Sequence, residues 1–83
     1  METVPMIHPN GSAKATLIED QLSVMRALEN ACHAMRHAGP HPRDYYYVPG
    51  RYEIARKEYD ALIEKVQSAL TEISEYAEKI DRL

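Results

Sequence analysis

The chain has 83 residues, a net charge of −3, no Trp, no Phe and one cysteine. A chain this short buries only roughly 60% of the surface its unfolded form exposes, so a large private core is excluded. Cys32 alone cannot form an internal disulfide, and secreted domains of this size usually depend on several, so the composition points to a reducing cytosol.

Residues 1–11 read as an extended arm, because Pro5 and Pro9 remove backbone donors and Asn10-Gly11 is a strong turn signal. They hold no apolar run suited to a signal peptide or a membrane span. A first helix is expected over about 13–38. Ser12 is a candidate cap, and Thr16 to Glu19 has capping-box spacing. Its end is marked by Gly39, expected in the left-handed position that follows a helix, and by Pro40, which blocks continuation. Leu17, Ile18, Leu22, Val24, Met25, Leu28, Ala31, Cys32 and Met35 cover roughly half the circumference of this helix, more than one neighbour can bury. Gln21 falls inside that arc, where its amide needs a partner and can set register.

A second helix over about 51–82 is the strongest pattern in the chain. Tyr52, Ala55, Tyr59, Leu62, Val66, Ala69, Ile73, Tyr76, Ile80 and Leu83 follow an unbroken 3,4 spacing, the seam of a coiled coil. Ile63, Leu70 and Ala77 widen the stripe on one side, and Glu58, Lys65, Glu72 and Lys79 line the other with alternating charge. The two helices, roughly 37 and 48 Å long at about 1.5 Å per residue, are expected to pack antiparallel as an all-α helical hairpin with coiled-coil-like packing. Each keeps apolar surface, so the hairpin is expected to assemble into a homo-oligomeric helical bundle with Ile63, Leu70, Ile18 and Met25 at the subunit interface.

The connection over 39–50, GPHPRDYYYVPG, is the segment best suited to function. It sets His41, Arg43, Asp44, Tyr45, Tyr46 and Tyr47 among stiffening prolines. Residues 31–57 carry a net charge of +3 before histidines, and the rest of the chain −6, so this pole is basic. Arginine forks grip phosphate or carboxylate, and tyrosine rings stack on bases. Arg43 and Arg51 are therefore candidates to hold phosphate, Tyr45 and Tyr46 to stack, Asp44 and Arg36 to share the site, and His8 with Asn10 to close it from the arm. The alternative reading makes the tyrosines a lid on the open end of the hairpin, with Asp44 paired to Arg43 or capping the second helix.

Other constellations are weaker. His33 and His37 have the i, i+4 spacing of metal ligands, but Gly39 and Pro40 break the helix before His41 and no further ligand stands at suitable spacing, so no metal or cofactor is expected. Cys32, on the apolar arc, reads as a buried thiol. No nucleophile with a base and an orienting group can be assembled, and enzymatic activity is not expected. The net charge of −3 argues against nonspecific nucleic-acid binding as the main task, and no sequence-specific nucleic-acid partner or membrane is expected.

The arm His8-Pro9-Asn10-Gly11-Ser12 and the loop Arg43-Asp44-Tyr45-Tyr46, followed by a long charged helix, resemble a group of small phage and prophage helical-hairpin proteins. This chain departs from that pattern at Tyr47-Val48-Pro49-Gly50, where proline is expected directly after the tyrosine pair. In architecture alone it is also similar to the phage sponge proteins that counter CBASS and Thoeris immunity, small helical-hairpin oligomers that trap nucleotide signals between subunits. These resemblances imply a phage-encoded anti-defence protein in the host cytoplasm that sequesters a nucleotide-type anion. The alternative is an interaction module or inhibitor that docks on a host or phage protein through its apolar stripe and Tyr/Arg loop.

Overall fold

Backbone hydrogen bonding in this chain is almost entirely helical, and no strand forms. The computed structural model describes residues 1–83, with helix α1 over Lys14–Ala38, a single 3-10 turn over Pro42–Asp44 and helix α2 over Arg51–Asp81. The arm contains one turn, closed by the Gly11 N–H donating to the His8 carbonyl at 3.0 Å. Neither expected cap is used: Ala13 holds the N-cap position of α1, and no side chain bonds a free N–H there. Gly39 is not left-handed either. Its φ of −57° and ψ of 167° are the extended geometry that a following proline imposes. What the position requires is absence of a side chain. A Cβ there would stand 3.3 Å from the Met35 carbonyl oxygen and 3.3 Å from two carbons of the Tyr59 ring. The positive φ belongs instead to Gly50, at 81°, immediately before α2.

The two helices pack side by side as a rod of 63 × 20 × 16 Å. Its radius of gyration, 18.4 Å, compares with about 12 Å for a compact domain of this length. Only five residues are buried, of which Cys32, Ile63, Ala77 and Ile80 form the core and Gly39 lies under Tyr59. No helix is long and apolar enough to cross a membrane.

The inward line on α1 is Ile18, Gln21, Met25, Leu28, Cys32 and Met35, and on α2 it is Tyr59, Ile63, Val66, Leu70, Ile73, Ala77 and Ile80, all buried or half-buried. This seam is rotated by one row from the expected one. Ile63 is 8% exposed and Leu62 47%. Ile63, Leu70, Ile18 and Met25 thus face the other helix of the same chain rather than another subunit, while Leu62 stands outside. Three neighbouring rows of α2 are apolar, so periodicity permits either choice. The Tyr59 ring lies against Gly39 at the turn, a contact common to both choices because both rows include Tyr59.

Handedness then assigns the flanks. In an antiparallel pair of right-handed helices, the row after each d position of one helix lies beside the same row of the other. One face of the hairpin therefore combines Leu22, Glu29 and Arg36 with Asp60, Gln67 and Ser74, and is polar. The opposite face combines Val24, Ala31 and Ala38 with Ala55, Leu62, Ala69 and Tyr76, and is apolar. The arm lies at the end remote from the turn: Lys79 Nζ donates to the Met1 carbonyl at 2.6 Å, Val4 and Pro5 are half-buried, and Ile80 there has no exposed surface.

Candidate ligand cleft at the helical turn

Where α1 ends and the chain turns, a cleft of about 290 Å³ lies beside the buried Gly39. Its floor is Met35, Ile63 and the Tyr59 ring. Pro40, His41 and Pro42 form one rim, Arg36 stands on α1, and Tyr52, Arg56 and Asp60 rise from α2. The lining follows from spacing. Tyr52, Arg56, Tyr59, Asp60 and Ile63 recur at three to four residues and so share one face of α2, and Arg36 is the α1 residue on the matching polar flank.

Arg56 is held in place. Its Nη1 donates to the Tyr52 hydroxyl at 3.1 Å and its Nε to Asp60 Oδ1 at 3.3 Å. The Tyr52 hydroxyl, then Asp60, push its guanidinium above even its ordinary value, so it is a permanent cation. That charge is largely matched by Asp60. Arg36 has no ion pair or hydrogen bond within the chain and supplies the uncompensated positive charge of the cleft.

Of the residues expected from sequence, the structure brings only Arg36 to this cleft. Arg43 and Asp44 sit in the exposed 3-10 turn, whose backbone closes on itself through Asp44 N–H to His41 O at 3.0 Å and Tyr45 N–H to Pro42 O at 3.1 Å. Asp44 neither pairs with Arg43 nor caps α2. Tyr45 is half-buried with its ring centroid 6.4 Å from that of Tyr52, so it buttresses the cleft wall. Tyr46 and Tyr47 stack on each other at 4.2 Å and are 67% and 82% exposed. The Tyr47 hydroxyl beside it keeps the Tyr46 phenol above its ordinary value of 10.0. Arg51 is exposed on the first turn of α2.

His8 and Asn10 are at the arm end, far from the turn, and the His8 ring folds over Gly11, where a Cβ would come within 3.0 Å of it. Within one chain they do not reach the cleft. His33 and His37 pack edge to face at 4.8 Å on the exposed side of α1, and no group of three His, Cys, Asp or Glu side chains is close enough to hold a metal ion.

The cleft residues that sequence reasoning passed over are Tyr52, Tyr59 and Asp60, while Arg56 is legible from sequence as one of the cations, with Arg36 and Arg51, that can reach this pole. Their shared face beside the turn was the available signal. Comparisons with family models, curated proteins and solved structures gave no match.

Proposed function

We propose that this protein is a non-enzymatic, self-associating helical hairpin that binds, and so sequesters, a small anionic ligand of nucleotide type in the turn cleft. The observation that carries the reading is the charge arrangement of that cleft. A free cation on α1, Arg36, faces two aromatic rings on α2, Tyr52 and Tyr59, while Arg56 is fixed beside them by Tyr52 and Asp60. Guanidinium recognises phosphate by paired N–H donors, and a phenol ring offers a flat surface to a base. Arg43 on the neighbouring turn adds charge that draws an anion toward the opening. A host immune signal built from cyclic or ADP-ribose-type nucleotides fits this chemistry and the resemblance to phage hairpin proteins.

Calorimetric titration with a panel of cyclic dinucleotides and ADP-ribose derivatives tests the reading, with wild type beside Arg36→Ala and Arg43→Ala. Binding is expected to be lost in Arg36→Ala and only weakened in Arg43→Ala. Absence of heat from every member of the panel removes the proposal.

A second reading, docking on a host or phage protein, is favoured by one specific feature. Tyr46 and Tyr47 form an exposed stacked pair beside Val48, itself 49% exposed, and tyrosine with nearby arginine is the usual composition of an interaction hot spot. On that reading, a Tyr46→Ser/Tyr47→Ser variant loses a stoichiometric protein partner and keeps nucleotide heats unchanged.

A further inference from the structure

We infer that the apolar face of the hairpin is covered by the same face of a second copy, in an antiparallel two-fold dimer whose axis passes at Leu62. The inference rests on the reading that the chain self-associates, and adds the surface, the symmetry and the register.

The surface area calls for a partner. The chain exposes 6374 Å², against about 5,000 Å² for a compact monomer of its mass, an excess of about 1,300 Å². A standard two-fold interface takes about 800 Å² from each subunit. One face gathers Val24, Ala31 and Ala38 on α1 beside Ala55, Leu62 and Ala69 on α2, whereas Leu22 and Ile54 are exposed singly on other faces. Val24 is 41% and Leu62 47% exposed.

Charge chooses the direction. The row bordering this face on α2 reads Arg51, Glu58, Lys65, Glu72, Lys79, alternating in sign every seven residues. A two-fold axis parallel to the helices sets α2 against α1 of the partner, whose bordering row is Ala13, Asp20, Ala27 and Ala34 and answers almost none of that charge. An axis perpendicular to the helices sets α2 against its own copy running the other way, and opposite charges then meet.

Alternation leaves two registers, one centred near Ala69 and one near Leu62, and the arm decides between them. The arm joins α1 at Ala13 and meets α2 at Lys79, both on rows bordering the apolar face, and Ile80 beside Lys79 has no exposed surface. A dimer centred on Ala69 drives that end into its partner at both ends. Centred on Leu62, the overlap runs from Arg51 to Glu72 and leaves the arm outside. Glu58 then meets the partner's Lys65, Arg51 meets the partner's Glu72, and the two Leu62 side chains touch on the axis. At the same height on α1 the axis falls among Ala31, Ala34 and Ala38, small residues that allow close approach.

The test uses the full chain. Sedimentation at tens of micromolar is expected to give twice the 9.5 kDa chain mass. Lys65→Glu is expected to weaken association about tenfold, and Glu58→Lys/Lys65→Glu to restore it, since the swap rebuilds the pair with reversed sign. In a Cys32→Ala background, Leu62→Cys is expected to oxidise to a linked dimer and Ala69→Cys to remain unlinked. A monomer at tens of micromolar, failure of the swap to restore association, or linkage at Ala69→Cys instead of Leu62→Cys overturns the proposal. None of these readouts involves the ligand, so they fail or succeed separately from the cleft.

Discussion

Truncating Ile63 and Leu62, adjacent in sequence and equal in hydrophobicity, separates the seam from the flank. Ile63 is 8% exposed between the two helices, and its replacement by alanine removes three buried carbons and leaves a void. Such losses cost about 2–5 kcal/mol. A chain of this length holds a total stability of about 4–12 kcal/mol, so Ile63→Ala consumes a large part of it at any protein concentration. Leu62, 47% exposed, loses about half the transfer energy and creates no enclosed cavity, which puts Leu62→Ala near 1 kcal/mol within one hairpin. Its further cost falls on the proposed association and would therefore depend on concentration. Urea unfolding followed by helical circular dichroism, repeated from 1 to 100 µM protein, reads both. The expected result is a large downward shift in midpoint for Ile63→Ala at every concentration. For Leu62→Ala the deficit relative to wild type grows as protein concentration rises. Equal deficits at the lowest concentration refute the seam assignment.

Ile80→Ala is expected to cost about 2–4 kcal/mol, and deletion of residues 1–6 part of that, because Met1 is held at Lys79 beside Ile80 and Val4 and Pro5 are half-buried; thermal melts check both. Gly50→Ala is expected to destabilise by about 1–2 kcal/mol, since φ there is 81°, whereas Gly39→Ala carries no φ penalty and instead displaces the Tyr59 ring, read as a shift of Tyr59 resonances. Spectrophotometric titration is expected to show one phenol ionising above 10.0, assigned by Tyr47→Phe, which lowers it. The raised value means that the favourable Tyr46–Tyr47 contact is complete below the ordinary phenol value and is lost as pH rises through the folded one.

The helical character of the chain, its two long elements and their packing against each other were legible because a 3,4 apolar repeat has only one economical burial. The rotation of α2 was not. Leu62, Ala69 and Tyr76 give the same spacing as Ile63, Leu70 and Ala77, and a spacing rule cannot rank two rows that share Tyr59, Val66, Ile73 and Ile80. The glycines misled for a related reason. A glycine after a helix most often relieves a positive φ, yet at Gly39 the following Pro40 enforces extended geometry and the glycine serves the approach of Tyr59. Among site residues, Arg36 was found by charge. Tyr52 and Tyr59 were assigned to the seam, since a ring at a seam position beside a turn can serve as core and cleft wall together.

That rotation links the two proposed roles. A seam centred one row further round would have buried Leu62 and turned Ile63 and Leu70 toward solvent, erasing both the cleft floor and the apolar face. As found, the seam divides the hairpin into a polar flank bearing Arg36 and Asp60 and an apolar flank bearing Leu62, so the proposed dimer would leave the cleft uncovered. The proposed perpendicular two-fold axis also turns the arm end of each chain toward the same side of the assembly as the turn of the other. His8 and Asn10 of the partner subunit are thereby brought toward the pole that carries Arg43 and Tyr46. A nucleotide affinity that falls when the dimer is broken by Lys65→Glu, and falls again in His8→Ala within the intact dimer, would show the arm acting across the subunits. An affinity indifferent to both substitutions would confine the site to the cleft of a single chain.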